Sequence, residues 1–232
     1  MSLPKELEYV PLLSSLGPNV VNTTISVAPT NGAIFQQSDI IQFDLPQRAF
    51  LDPGSLFIRY RFNQTSGAGV EIKGVPVYTP FINLQVVLGG SIVENIQGYG
   101  QIQNMLVNMT HSAGQKAGLA FPYGLGDYAV TTAATFVGAN INGRVCTAAE
   151  SISMAGPLRC VLSEAERLVP LGLMSGCRVS LTVDSMANIA TSAVALAGMT
   201  LSNVELVYSQ IDFGSATEQM VRSMGDKLYI KS

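Results

Sequence analysis

The sequence predicts an all-β protein: an antiparallel, eight-stranded jelly-roll sandwich with two or three short helices. Three observations lead there. Apolar and polar residues alternate with period two in about eight short segments, Gly, Pro, Asn and Asp separate those segments, and helical spacing is confined to brief stretches. Periodicity by itself leaves an immunoglobulin-like sandwich open beside the jelly roll.

The first strand is read at Val21, Thr23, Ile25 and Val27, which alternate with Asn22, Thr24 and Ser26, and the second at Ile41, Phe43 and Leu45. Pro46 and the Asp52-Pro53-Gly54 break then permit a turn. After it Leu56, Ile58, Tyr60 and Phe62 point one way while Phe57, Arg59 and Arg61 point the other. The arginines are expected on an exposed face, with Asp44 or Asp184 on neighbouring strands as acid partners. Ile82, Leu84, Val86 and Leu88 form the next inward row, and Gly89-Gly90 turns the chain into Ser91 to Ile96.

Past Gly98 the period changes. Ile102, Met105, Leu106 and Met109 fall at i, i+3, i+4 and i+7, which predicts one amphipathic helix with that stripe in the core. A Gly-, Ala- and Thr-rich excursion follows at about 118–142. Strands resume at Ser151 to Met154 and Leu158 to Leu162, and Ser163 with Glu166 reads as a capping box opening a short helix. In "CRVSLTVD" Cys177, Val179, Leu181 and Val183 face inward, and Arg178, Ser180, Thr182 and Asp184 outward. Val204, Leu206 and Tyr208 continue that logic until the apolar phase moves to Ile211 and Phe213, which predicts a bulge. A second capping box at Ser215 to Glu218 opens a last helix, marked at its end by Gly225. The expected organisation is an N-terminal arm at 1–18, the jelly roll at 19–214, and a helix and extension at 215–232.

Chemistry is limited by composition. The 232 residues carry a net charge of −3, and 12% are charged, so general attraction to phosphate backbones is not expected and direct nucleic-acid binding is not predicted. No run of about 18 apolar residues suggests a membrane-spanning helix, and "MSLPKELEYVPLLSSLGPNV" lacks the pattern of a signal peptide, so a soluble chain is expected. Cys146, Cys160 and Cys177 are spaced for neither a disulfide framework nor zinc and are expected as buried free thiols. The triplets at Asn22, Asn63 and Asn108 are uninformative without a secretory route. His111 is the sole histidine, too few for a cupin-type metal site, and no G-x-S-x-G elbow accompanies it. It is expected at a helix end in a structural role. "GLGDYA" and "LGGS" lack the lysine of a phosphate loop. No enzyme activity, cofactor or metal is predicted.

Three stretches resemble those of viral major capsid proteins of the double jelly-roll lineage. "FLDPGSLFIRYRF" resembles the second strand region of the first jelly roll, and "INLQVVLGGSIVENIQGYGQIQNML" is similar to its paired strands and the Tyr-containing helix after them. "LVPLGLMSGCRVSLTVD" with "LSNVELVYSQIDF" looks like its closing strands. The resemblance implies a shell protein that self-assembles into homotrimers or pseudo-hexameric capsomers with other capsid subunits. It implies a virion location, assembly in the host-cell interior and a shell able to enclose an internal membrane. It also implies a second sandwich, so the chain is expected to be either a single-jelly-roll relative or the leading part of a longer product. Arg59, Arg61, Phe121, Tyr123 and Tyr128 are the candidate subunit-interface residues. The alternative is a lectin-like or receptor-binding jelly roll using Tyr123 and Tyr128.

Overall fold

Alternation becomes strand in most of the segments whose one face meets the core. The computed structural model describes residues 20–64, 70–125, 143–146, 151–190 and 199–214. Its eight principal strands are β1 (Val21–Val27), β2 (Ile40–Leu45), β3 (Phe57–Gln64), β4 (Phe81–Leu88), β5 (Ser91–Gln97), β6 (Ser151–Pro157), β7 (Cys177–Val183) and β8 (Met199–Asp212). They form two antiparallel sheets ordered β1-β8-β3-β6 and β2-β7-β4-β5. First pairs with last, second with seventh, third with sixth and fourth with fifth, which is the nested pairing of a jelly roll. Short strands Ile34–Phe35 and Phe50–Leu51 also pair with β8, and Val169–Pro170 pairs with the latter. Val70–Lys73 and Gly143–Cys146 make a separate two-stranded ribbon.

The core lies between the sheets. Ile41, Phe43 and Leu45 of β2 are buried, as are Leu56, Ile58, Tyr60 and Phe62, and all four inward residues of β7. Val204, Leu206 and Tyr208 are buried on β8. Gly89 and Gly90 sit at φ 57° and 82°, the two left-handed positions of the β4–β5 hairpin turn.

Several expectations need correction. Val21 and Thr23 are exposed, because β1 is an edge strand and only Ile25 and Val27 tuck partly beneath it. Phe81 rather than Ile82 faces the core, since the β4–β7 register shifts opposite Thr182 and Val183. Ser180 and Asp184 are buried although they alternate with the inward row of β7. Residues 158–162 form no strand: Leu158 donates its amide to Leu56, and the chain then turns with Leu158, Cys160 and Leu162 still buried. No helix starts at Ser163, whose hydroxyl accepts from the Cys160 amide and so closes the preceding turn instead of capping forward. The irregularity of β8 falls between Ser202 and Glu205, with Asn203 at φ 49°. At the expected bulge β8 runs on in register with β1, and Gln210 points inward. The Ser215 to Gly225 helix lies outside the described residues.

Four α-helices are described: α1 (Tyr99–Thr110), α2 (Ala113–Gly118), α3 (Ala120–Tyr123) and α4 (Met186–Ile189). α2 ends where the excursion read from sequence as loop begins, and α3 stands at its start; Ser112 and Gln115 form a reciprocal capping box for α2. α1 stands where the periodicity predicts it but rotated. Its buried residues are Tyr99, Gly100, Gln103 and Val107, whereas Ile102, Met105 and Met109 are exposed.

Cys160 and Cys177 are buried and free. Burial pushes their thiols up to about 11 and about 12 respectively. Alkylation of the native protein at pH 8 should therefore leave both cysteines unmodified by peptide mass spectrometry, while denatured protein is labelled at both. Rapid native labelling of either would contradict their burial.

Candidate assembly surface

β3 carries the two candidate arginines. With Ile58, Tyr60 and Phe62 fixed inward, Arg59 and Arg61 must emerge on the outer face, and both are exposed. The partner of Arg59 is Glu205, which faces it across the β3–β8 pairing. Arg59 donates from Nε to Glu205 Oε2 at 2.8 Å, and the Ser26 hydroxyl donates to the same oxygen from β1. Asp44, offered from sequence as a partner, instead accepts from Arg178 Nε at 2.6 Å on the outer face of the other sheet. Asp184, the other offered partner, accepts from the Ser185 amide and Asn188. Arg61 lies between Ser153 and Ser202 and makes no ion pair among the described residues.

The Ser26 hydrogen bond, followed by the Arg59 contact, holds the Glu205 carboxyl below the usual carboxylate range against the opposing effect of partial burial. A depressed folded-state value means that the stabilising contribution is present above the unfolded-state value near pH 4.3 and disappears as pH falls through the folded one. Carboxylate titration followed by NMR should show Glu205 protonating below an ordinary glutamate, and Ser26→Ala should move it back upward. An unchanged midpoint in that variant would remove the hydroxyl from the account.

The remaining candidates separate. Phe121 on α3 is 71% exposed. Tyr123, two residues on, turns inward: it is buried, its ring meets Tyr78 edge-on at 5.8 Å, and it borders a groove. Tyr128 lies outside the described residues. Sequence reasoning missed Glu205, whose role depends on strand order. It named Ile102, Met105 and Met109 but assigned their stripe to the core, whereas all three are exposed.

Among the described residues no group of three His, Cys, Asp or Glu side chains is placed to hold a metal. His111 ends α1, with Nδ1 at 2.9 Å from the Thr110 hydroxyl, in the helix-end position expected of it. Glu94 accepts from the Val161 amide and Asp212 from the Gly214 amide, so these carboxylates serve the backbone. A shallow groove of about 470 Å³ lies between Thr24, Phe57 and Ser209 of the sheet and Leu119 and Pro122. A pocket of about 180 Å³ at the start of α1 is lined by Lys73, Asn104 and Asp184. Lys73 there donates to the Ala187 carbonyl.

No family model and no curated protein matches the sequence. Solved structures match the fold. The crystal structure of PBCV-1 VP54, fitted into a cryo-EM reconstruction of the virophage Sputnik, superposes with a TM-score of 0.60 at 10% identity, over 88% of this chain and 45% of that one. The PBCV-1 virus capsid gives 0.57 at 12% identity over 89% and 45%. The Faustovirus major capsid protein gives 0.58 at 10% identity over 89% and 57%. The chain thus spans about half the length of the solved chains it matches. At such identities the likeness is one of fold: this chain has a jelly roll similar in structure to part of the double jelly-roll viral major capsid proteins.

Proposed function

We propose that the chain is a shell-forming structural protein, self-associating into trimeric or pseudo-hexameric capsomers of an icosahedral virion. The observation that carries this reading is the nested jelly roll, which matches viral capsid proteins over nearly nine-tenths of the chain. The site chemistry agrees with it: Glu94 braces backbone, Asp44 and Glu205 pair with arginines, and His111 is bonded to its neighbouring threonine. Phe121 and Arg61 are exposed, Arg61 makes no ion pair among the described residues, and the proposed partners are further copies and other capsid subunits.

Light scattering at micromolar concentration should give the mass of a trimer or a multiple of it, and electron microscopy of the same sample should show hexagonal capsomers or shells. A stable monomer at high concentration would overturn the proposal. Replacing Arg59 and Arg61 by glutamine should leave the fold intact, since exposed pairs contribute about 0–1 kcal/mol. If this face lies between subunits, the same double variant should weaken assembly by light scattering. Loss of folding in the isolated subunit would show that this face is not a surface.

A further inference from the structure

A concave, uncharged site lies where the strands of one sheet meet the helices after α1. The groove of about 470 Å³ is walled on the sheet side by Thr24 opposite Ser209 and by Phe57 opposite Pro157, and on the helical side by Leu119 and Pro122. Thr24 shares the strand phase of Ser26, and Phe57 that of Arg59, so the groove opens on the outer face of the sheet. None of its lining residues is Asp, Glu, Lys or Arg, and the charged residues of that face, Arg59, Arg61 and Glu205, stand outside it. An apolar cleft of this volume is of the size that buries a ligand or a chain segment.

The chain itself carries a segment that matches. From Tyr9 to Ser38 there is no Asp, Glu, Lys or Arg, and the stretch YVPLLSSL at 9–16 holds Tyr9, Val10, Leu12, Leu13 and Leu16 within eight residues. The two other long stretches outside the described residues match less well. Residues 215–232 carry Glu218, Arg222, Asp226, Lys227 and Lys231, which would have to stay clear of an uncharged groove. Residues 126–142 contain no leucine and consist mostly of Gly, Ala, Thr and Asn.

We propose that residues 9–16 seat in this groove of their own subunit. The reach allows it: Leu12 is eight residues from Val20, a span of at most about 29 Å, and Thr24 stands three residues along β1 from Val21, about 10 Å. The segment must double back to lie over the row of Thr24 and Ser209, and the dipeptide Gly17-Pro18 is a turn signal at the point where the reversal is needed. The occupant is the chain's own segment rather than a second copy because a short tether gives an effective concentration on the order of mM, above that of free protein at micromolar levels. Docked, the segment closes the groove to other apolar ligands. This goes beyond the shell-forming reading and does not rest on it.

The test uses the full chain with the photo-reactive residue benzoylphenylalanine in place of Leu12, prepared as an equal mixture of isotope-labelled and unlabelled copies, irradiated and mapped by peptide mass spectrometry. Position 12 should join to peptides containing Phe57, Leu119 or Pro122, with both joined peptides from one copy. Thr24→Glu, at an exposed position where folding should survive by circular dichroism, puts a carboxylate in the groove and should lower the yield of those joins severalfold. Joins of mixed isotope pattern would make a second copy the occupant and overturn the proposal. So would joins elsewhere on the chain, no joins at all, or groove joins whose yield Thr24→Glu leaves unchanged. The shell-forming reading is decided separately, by the mass of the unmodified protein in solution.

Discussion

Gly100→Ala should lower stability by about 2–3 kcal/mol, the upper part of the range for forcing atoms into a filled site, and reduce the melting temperature by roughly 5–10 °C for a chain of this size. Gly100 is buried in the first turn of α1. A Cβ there would stand 2.5 Å from the Tyr78 carbonyl oxygen and 2.8 Å from that of Phe81. Both are backbone atoms, and Tyr78 and Phe81 are each 1% exposed, so neither can swing aside as a side-chain end could. The Tyr78 carbonyl is further held by the Phe81 amide at 3.0 Å. Intrinsic propensity pulls the other way, since alanine is favoured over glycine in a helix by about 1 kcal/mol, and the steric term is the larger. Gly114 supplies the control: it lies in α2, is exposed, and an added Cβ would meet nothing within 4 Å. Gly114→Ala should therefore be neutral to stabilising by up to about 1 kcal/mol. Urea denaturation of the two variants reads opposite signs; equal effects would show that the approach of α1 to the 78–81 segment is not tight.

The same glycine explains why the helix was legible in the sequence and its orientation was not. Apolar spacing at Ile102, Met105, Leu106 and Met109 reports that a helical stripe exists, but it carries no label saying whether the subunit or a partner covers it. What turns α1 is the close approach at Gly100 and the Tyr99 hydroxyl, which accepts from the Arg159 amide at 3.1 Å. Both are contacts across more than fifteen residues of chain and leave no periodic trace. The strands behave differently because a one-residue slip would expose an entire inward row. Leu56 to Phe62 and Cys177 to Val183 were thus readable on their inward sides. Their outward sides were less so: Ser180 sits on a strand flanked by β2 and β4 and is covered, and Val207 is buried on the outer side of β8, paired with Phe57 and Ser26. The Arg59–Glu205 pair needed strand order, which alternation cannot supply, while the capping pattern at Ser163 was real chemistry applied to the preceding turn.

Strand order also decides where the core is least forgiving, and Leu181→Ala should cost about 3–5 kcal/mol, the upper part of the range for leucine truncation in a core that cannot collapse. β7 is an interior strand of its sheet, paired with β2 on one side and β4 on the other. Leu181 is directly opposite Ile41 and Leu84, and all three are fully buried. β4 is held by a second ladder to β5 and β2 is laddered to β7 along its length, so the space left by the lost carbons stays open, and the cavity adds to the lost transfer free energy. On the same strand Arg178 provides the contrast: it is exposed and paired with Asp44 at the surface, where water screens the pair, so Arg178→Ala should leave the denaturation midpoint close to that of wild type. Chemical denaturation with an unchanged slope and a shifted midpoint would report the Leu181 loss as stability rather than altered compactness. Leu181→Ala within about 1 kcal/mol of wild type would mean that the two sheets can close over the gap, and the rigidity attributed here to the paired neighbours of β7 would be wrong.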